Sequence, residues 1–266
     1  AGDGGSDEGE DDGVEYTDLS AEGTANCYLI QGAGDYKFKT VIGNTDATVG
    51  NVKSVEVLWE SFGTDEMPNV GDLIASVSYK NGYIRFSTPE NFHDGNAVIA
   101  AKNSKGTILW SWHIWCAEEG WQEQVYYNDA GTMMDRNLGA ISATPGDVGA
   151  LGLLYQWGRK DPFLGSSSIS HPTFAKSTRN RKEVANTSET ATLAYALANP
   201  HKFILGNTGG DWMASKDDSL WASSKTIYDP CPVGYRVAVL DAWRGFTTNG
   251  ESADRISKIN VAGYFD

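Results

Sequence analysis

Alternating hydrophobic and polar residues predict a β-hairpin in the first half of the chain. The segment LIASVSYK is followed by an Asn-Gly pair at 81–82 and then by YIRFST. Both turn residues tolerate positive φ, which a two-residue hairpin turn requires. Closing the hairpin there pairs Tyr79 with Ile84 and Val77 with Phe86, so the turn and the apolar alternation agree on one register.

A second hairpin is predicted where NAVIAAK leads through NSKG into TILWSWHIW. Trp110 and Trp112 share one face of the second strand, while Ser111 and His113 share the other. The spacing of the two tryptophans favours core packing, although a platform for stacking a sugar is the alternative. We expect His113 to be a half-exposed strand residue, because no second metal-ligating residue lies near it in sequence.

Further strands are predicted at Ala25–Ile30, Gly34–Val41 and Val52–Trp59, with turn residues between them. Several short strands without a helical period, within about 95 residues, are typical of a β-sandwich of the immunoglobulin-like type. The sequence therefore predicts an all-β domain over residues 23–117.

The pattern changes from residue 118 onward, where strands and helices mix. Leu193 and Leu197 stand at i and i+4, Ser188 or Thr190 can cap the N-terminus, and an Asn-Pro pair stops the helix. A shorter helix is predicted at Asp241–Phe246. Gly, Ser, Asn and Asp dominate the rest, which favours an α+β domain with long ordered loops.

Charge is concentrated at the start of the chain. Residues 1–22 hold nine acids and no Lys or Arg, and taking these nine from the total charge of −14 leaves only −5 for the remainder. We expect this stretch to be a solvated acidic tether, either a spacer after a membrane anchor or an unrelated disordered terminus. The overall acidity argues against a nucleic-acid partner, because a phosphate backbone would be repelled.

The three cysteines, Cys27, Cys116 and Cys231, form no C-x-x-C motif. They are either three buried thiols or a Cys27–Cys116 disulfide with one free thiol. No apolar run of membrane-spanning length and no nucleophile-elbow, zincin, P-loop or dinucleotide motif occurs. We therefore predict no catalytic residue, no cofactor and no metal site, with a calcium ion at the acidic loop of Asp211, Asp217 and Asp218 as the alternative.

Four motifs carry a resemblance to a known family. They occur in the order MMDRNLGA (133–140), LLYQWGRKDPF (153–163), ALANPHKFI (196–204) and IYDPCPVGYRV (227–237). Together they resemble the FISUMP, or major paralogous, domain of bacterial surface lipoproteins. The stretches TANCYLI and GDYKF resemble the domain that often precedes it in Bacteroidales surface and fimbrium-associated proteins.

That resemblance implies a multidomain protein in which residues 118–266 form a C-type-lectin-like domain, trimmed where relatives continue beyond VAGYFD. It implies an extracytoplasmic location at the outer membrane, reached through a lipid anchor that has been removed. The function implied is non-catalytic adhesion or a fimbrial accessory or tip role, with fimbrial subunits or a surface glycan or protein as partners. Glycan capture by a surface lipoprotein and an enzyme built on the second domain are the alternatives.

Polar and aromatic residues within these motifs are the candidate ligand-binding set. A polar ligand or a sugar is typically held by carboxylate, guanidinium and amide groups that form hydrogen bonds and by an aromatic ring that stacks on it. The alternative is a buried network in which Asp135 or Asp161 pairs with an arginine and satisfies loop backbone groups. The candidates are Asp135, Arg136, Asn137, Trp157, Arg159 and Asp161.

Overall fold

The computed structural model describes residues 13–125, 131–164, 175–239 and 242. Short strands dominate its first half, as the alternating pattern predicts. The strands of this half are β1 (Thr17–Asp18), β2 (Cys27–Ile30), β3 (Asp35–Lys39), β4 (Ser54–Ser61), β5 (Ser76–Lys80), β6 (Tyr83–Ser87), β7 (Gly95–Lys102) and β8 (Ile108–Cys116). Each predicted strand is therefore found, with ends shifted by up to three residues.

These eight strands form two four-stranded sheets that pack face to face. The first sheet has the order β1-β3-β6-β5 and the second has the order β2-β8-β7-β4. Phe38 on β3 lies 5.3 Å, ring centroid to ring centroid, from Trp112 on β8, and both side chains are buried. The core between the sheets is thus made by the apolar faces of both, which confirms the β-rich character of the chain.

The β5–β6 hairpin has the predicted register, with Val77 opposite Phe86 and Tyr79 opposite Ile84. Its turn residues at 81–82 have φ of 50° and 79°, as the hairpin turn requires. Tyr79 is nevertheless 36% exposed, because β5 is the outer strand of its sheet.

The second half of the chain is irregular, as expected, and holds short elements. They are β9 (Glu123–Val125), β10 (Thr132–Met134), β11 (Leu153–Leu154), β12 (Phe163–Leu164), β13 (Lys182–Val184), α1 (Leu193–Ala198) and β14 (Lys202–Ile204), with 3-10 turns at Val148–Ala150 and Asp218–Leu220. Among the described residues, no helix has the length and apolarity needed to cross a membrane.

Helix α1 confirms the predicted helix but has a different cap. Thr192 is the N-cap, and its hydroxyl accepts a hydrogen bond of 3.2 Å from the amide of Tyr195. Thr190 instead accepts a hydrogen bond from the amide of Thr187, in the turn that precedes the helix. The helix predicted at 241–246 lies outside the described residues except for Ala242.

The predicted boundary at residue 117 does not separate two independent cores. Leu153 packs with Trp59 and Val98 against the face of the β2-β8-β7-β4 sheet that points away from the sandwich core. The Asn26 side chain donates hydrogen bonds of 2.8 Å to the carbonyl oxygens of Ile227 and Asp229. This sheet is therefore covered on both faces.

That covering makes the prediction for His113 wrong, because the side chain is buried with 1% exposure. The folded part also begins earlier than the boundary predicted at residue 22. Thr17 and Asp18 pair with β3, and Leu19 packs against the sandwich core. An apolar side chain within an acidic run gains enough from burial to join the fold. Residues 1–12 lie outside the described part.

Candidate functional site

Asp135 and Arg136 form a buried ion pair with each other. The Arg136 guanidinium donates from Nε and Nη2 to the two carboxylate oxygens at 2.8 and 3.1 Å, and both side chains are less than 10% exposed. Asn137 beside them donates from Nδ2 to the carbonyl oxygen of Leu151 at 3.2 Å. This trio follows the alternative interpretation, in which polar groups satisfy one another and the loop backbone.

Arg159 is 2% exposed and binds carbonyl oxygens rather than a carboxylate. Its Nη atoms donate to the carbonyl oxygen of Lys202 at 2.9 Å and to those of Ala196 and Asn199 at 3.3 Å, so it satisfies backbone groups at the end of α1 and the start of β14. Burial lowers the pKa of Arg159 to about 10. The aromatic rings of Phe163 and Trp212 flank its guanidinium.

Asp161 pairs with Lys160, a residue that the motif analysis did not single out. Lys160 Nζ lies 2.6 Å from the Asp161 carboxylate and 2.7 Å from Ser111 Oγ, and Ser111 donates to the same carboxylate oxygen at 2.6 Å. Burial lowers the pKa of Lys160, which the nearby carboxylate opposes. Lys160 Nζ also lies 4.6 Å from the centroid of the Trp110 ring.

A second polar network joins Cys27, His113 and Asn96 on neighbouring strands. Cys27 Sγ lies 3.3 Å from His113 Nδ1, and His113 Nε2 lies 2.9 Å from Asn96 Oδ1. The Asn96 amide then donates to the carbonyl oxygen of Gly139 at 2.9 Å. Sequence reasoning missed this network, although strand register alone places Cys27 opposite His113.

These three residue types resemble a nucleophile, a base and an orienting amide, but their environment opposes catalysis. Cys27 and Asn96 have no exposed surface and His113 is 1% exposed. Burial raises the pKa of the Cys27 thiol and lowers that of His113 to about 3, so the pair stays neutral. The network therefore links β2, β8 and β7 to the loop at Gly139.

Trp157 is the one member of the predicted set that is largely exposed, at 50%. Its ring lies edge-on to Trp221, with centroids 5.0 Å apart. Its carbonyl oxygen accepts a hydrogen bond of 2.7 Å from Trp212 Nε1, and Trp221 donates from Nε1 to the Tyr228 carbonyl at 2.9 Å. The exposed ring is thus held by a packed and hydrogen-bonded support.

Among the described residues, the cysteines form no disulfide and the acidic loop forms no metal site. All three cysteines are free, so the disulfide alternative is wrong: Cys116 pairs with Ile30 across the sheet, three residues along the strand from Cys27. Asp217 accepts from the amide of Ser219, and Asp218 pairs with Lys216. Within the described part of the chain, no group of three or more His, Cys, Asp and Glu side chains could hold a metal ion.

No family model matches the chain, and no curated protein or solved structure matches it closely enough to indicate a family or a function.

Proposed function

We propose that this chain is a non-catalytic recognition protein of the bacterial cell surface, which acts in adhesion by contacting a glycan or a protein. The face-to-face sheets support an immunoglobulin-like N-terminal module, and the motifs of the second half support a FISUMP domain of C-type-lectin-like fold. The proposed location is extracytoplasmic, at the outer membrane or in a fimbrium.

The exposed ring of Trp157 is the observation that carries the proposal. A flat apolar face that is already rigid loses little conformational entropy when a partner stacks on it. Trp221 and the Trp212 hydrogen bond hold that face in place before any ligand arrives. Sugar rings and protein side chains both present C–H groups that suit such a surface.

The burial of the reactive groups supports a non-catalytic role. The Cys27 thiol and the Lys160 amine are the groups that a reaction would use, and each is buried where the second half of the chain packs on the β2-β8-β7-β4 sheet. A substrate would have to displace that covering to reach either group. Contact at a surface needs no such rearrangement.

A fimbrial role has its own support at the β5 edge. Within the described part of the chain, strand β5 is the outer strand of its sheet and its residues are half-buried or exposed, so its outer edge can accept an added strand. The substitution Val77→Pro should block this edge. If fimbrial subunits co-purify with the original chain but not with Val77→Pro, the result would support fimbrial assembly rather than glycan capture.

A glycan array probed with purified protein tests the surface role. We expect Trp157→Ala to lose binding to every neutral glycan that the original chain binds, with an unchanged thermal midpoint. Tyr79→Ala is the matched control, because it removes another exposed aromatic ring on the β5–β6 hairpin. Retained neutral-glycan binding by Trp157→Ala, or equal loss in both variants, would refute a role for this face.

A further inference from the structure

A cleft with two arginines on its rim lies beside β4. Its apolar floor is formed by Trp59 and Phe163, and its polar rim by Arg179, Asn180, Arg181 and His201. The cleft is open to solvent, and its enclosed space holds little more than one water molecule. A ligand would therefore meet the polar side chains at the mouth of the cleft rather than enter it.

Positive charge at and beside the rim of the cleft is only partly neutralised by other described residues. Arg179 on the rim and Lys182 beside it are exposed and make no ion pair among those residues, while Arg181 pairs with Glu183 at 2.8 Å. Burial and the positive charges of Arg179, Lys202 and Lys182 lower the pKa of His201 to about 4. This local excess of positive charge contrasts with the net charge of the whole chain, which is −14.

The backbone that carries these cations is fixed to the sandwich. The amide of Thr178 donates to the Glu60 carbonyl at 3.0 Å, and the amide of Glu60 donates to Thr178 Oγ1 at 3.0 Å. Ser61 Oγ donates to the Lys176 carbonyl at 2.6 Å. The segment therefore runs along the outer edge of β4. These hydrogen bonds fix the backbone from which the side chains of Arg179 and Arg181 extend.

We propose that this cleft binds the acidic group of a glycan, with Arg179 and Arg181 engaging its carboxylate or sulfate. Arginine presents planar paired donors that match such an anion. Asn180 and His201 on the same rim offer hydrogen-bonding groups for neighbouring hydroxyls. The choice of a glycan as the partner rests on the proposed function, whereas the anionic character of the ligand rests on the cleft alone.

Two other polyanions are less suited to this cleft. Duplex nucleic acid carries one negative charge per about 1.7 Å of its axis, so the remainder of this acidic chain would repel it more strongly than an acidic glycan with one charge per sugar ring. The chain's own acidic residues 3–12 precede β1, which is the outer strand on the side of the sandwich opposite β4. The cleft and the start of the folded chain thus lie at opposite edges.

Binding to polygalacturonate, measured by calorimetry at low salt against neutral dextran, tests the proposal. We expect Arg179→Gln/Arg181→Gln to bind the acidic polymer at least about tenfold more weakly, and higher salt to weaken the original chain's binding. The control Lys53→Gln/Lys105→Gln removes two exposed cations elsewhere, with the same change in net charge, and should bind within about twofold of the original chain.

Arg179→Gln alone keeps the test valid if the double variant is unstable, because Arg179 is exposed and its side chain makes no hydrogen bond or ion pair with another residue in the described part of the chain. Trp157→Ala should retain polygalacturonate binding, which separates this site from the Trp157 surface. Absent polygalacturonate binding, equal weakening in the cleft and control variants, or preferential binding of a peptide of residues 3–12 would each overturn the proposal.

Discussion

Replacing Asp161 by Asn should strongly destabilise the chain, because it leaves the Lys160 ammonium buried without its counter-charge. The two side chains are only 1% and 4% exposed and lie 2.6 Å apart. Removing one partner of such a buried pair typically costs 3–5 kcal/mol, so we expect a loss of about 3 kcal/mol in the free energy of unfolding. A single domain is stable by only about 5–15 kcal/mol, so the loss is readily measured.

A double-mutant cycle separates this effect from general damage. Lys160→Met keeps the length of the side chain and removes its charge, so Lys160→Met/Asp161→Asn should recover much of the stability lost by Asp161→Asn. Urea unfolding followed by tryptophan fluorescence gives each free energy. Asp218→Asn, which breaks the exposed pair with Lys216, should leave the midpoint unchanged. Losses that simply add in the double variant would refute the coupling.

Two further predictions concern buried contacts. The pKa of His113 is about 3 in the folded chain and about 6.5 when unfolded, so only the unfolded state gains this proton as pH falls. His113 alone should therefore contribute a loss of about 2 kcal/mol of stability between about pH 7.5 and 5. Urea titrations at both pH values should show this drop reduced in His113→Gln, and an equal drop in both proteins would contradict the assignment. Gly43→Ala should cost at least about 2 kcal/mol in thermal unfolding, because Gly43 has a φ of +53° and a Cβ there would lie 2.4 Å from the Ile227 carbonyl oxygen. Gly106→Ala, with a φ of +77° and open space, should cost only about 1 kcal/mol, and equal losses would argue against the contact between the two halves.

The candidate site was only partly predictable, because the burial and the partners of each side chain depend on which distant segment packs over it. Asp135 pairs with Arg136, as the alternative interpretation allowed, and this pair needs no distant partner. Arg159 instead meets carbonyl oxygens of residues some 40 positions later, and Asp161 pairs with Lys160 rather than with the arginine that the alternative interpretation allowed. Cys27 and His113 are 86 residues apart and meet only through the parallel pairing of their strands.

The amino-acid pattern alone determined the local features of this protein. The β5–β6 register, the strands of the sandwich and the helix at Leu193–Ala198 follow from turn chemistry and from periodicity, which act over a few residues. Tertiary structure decided that the polar face of β8 is buried, because the second half of the chain covers a sheet face that alternation assigns to solvent. It likewise decided that Trp157 stays exposed while Arg159 is enclosed, since burial depends on distant segments that periodicity does not describe.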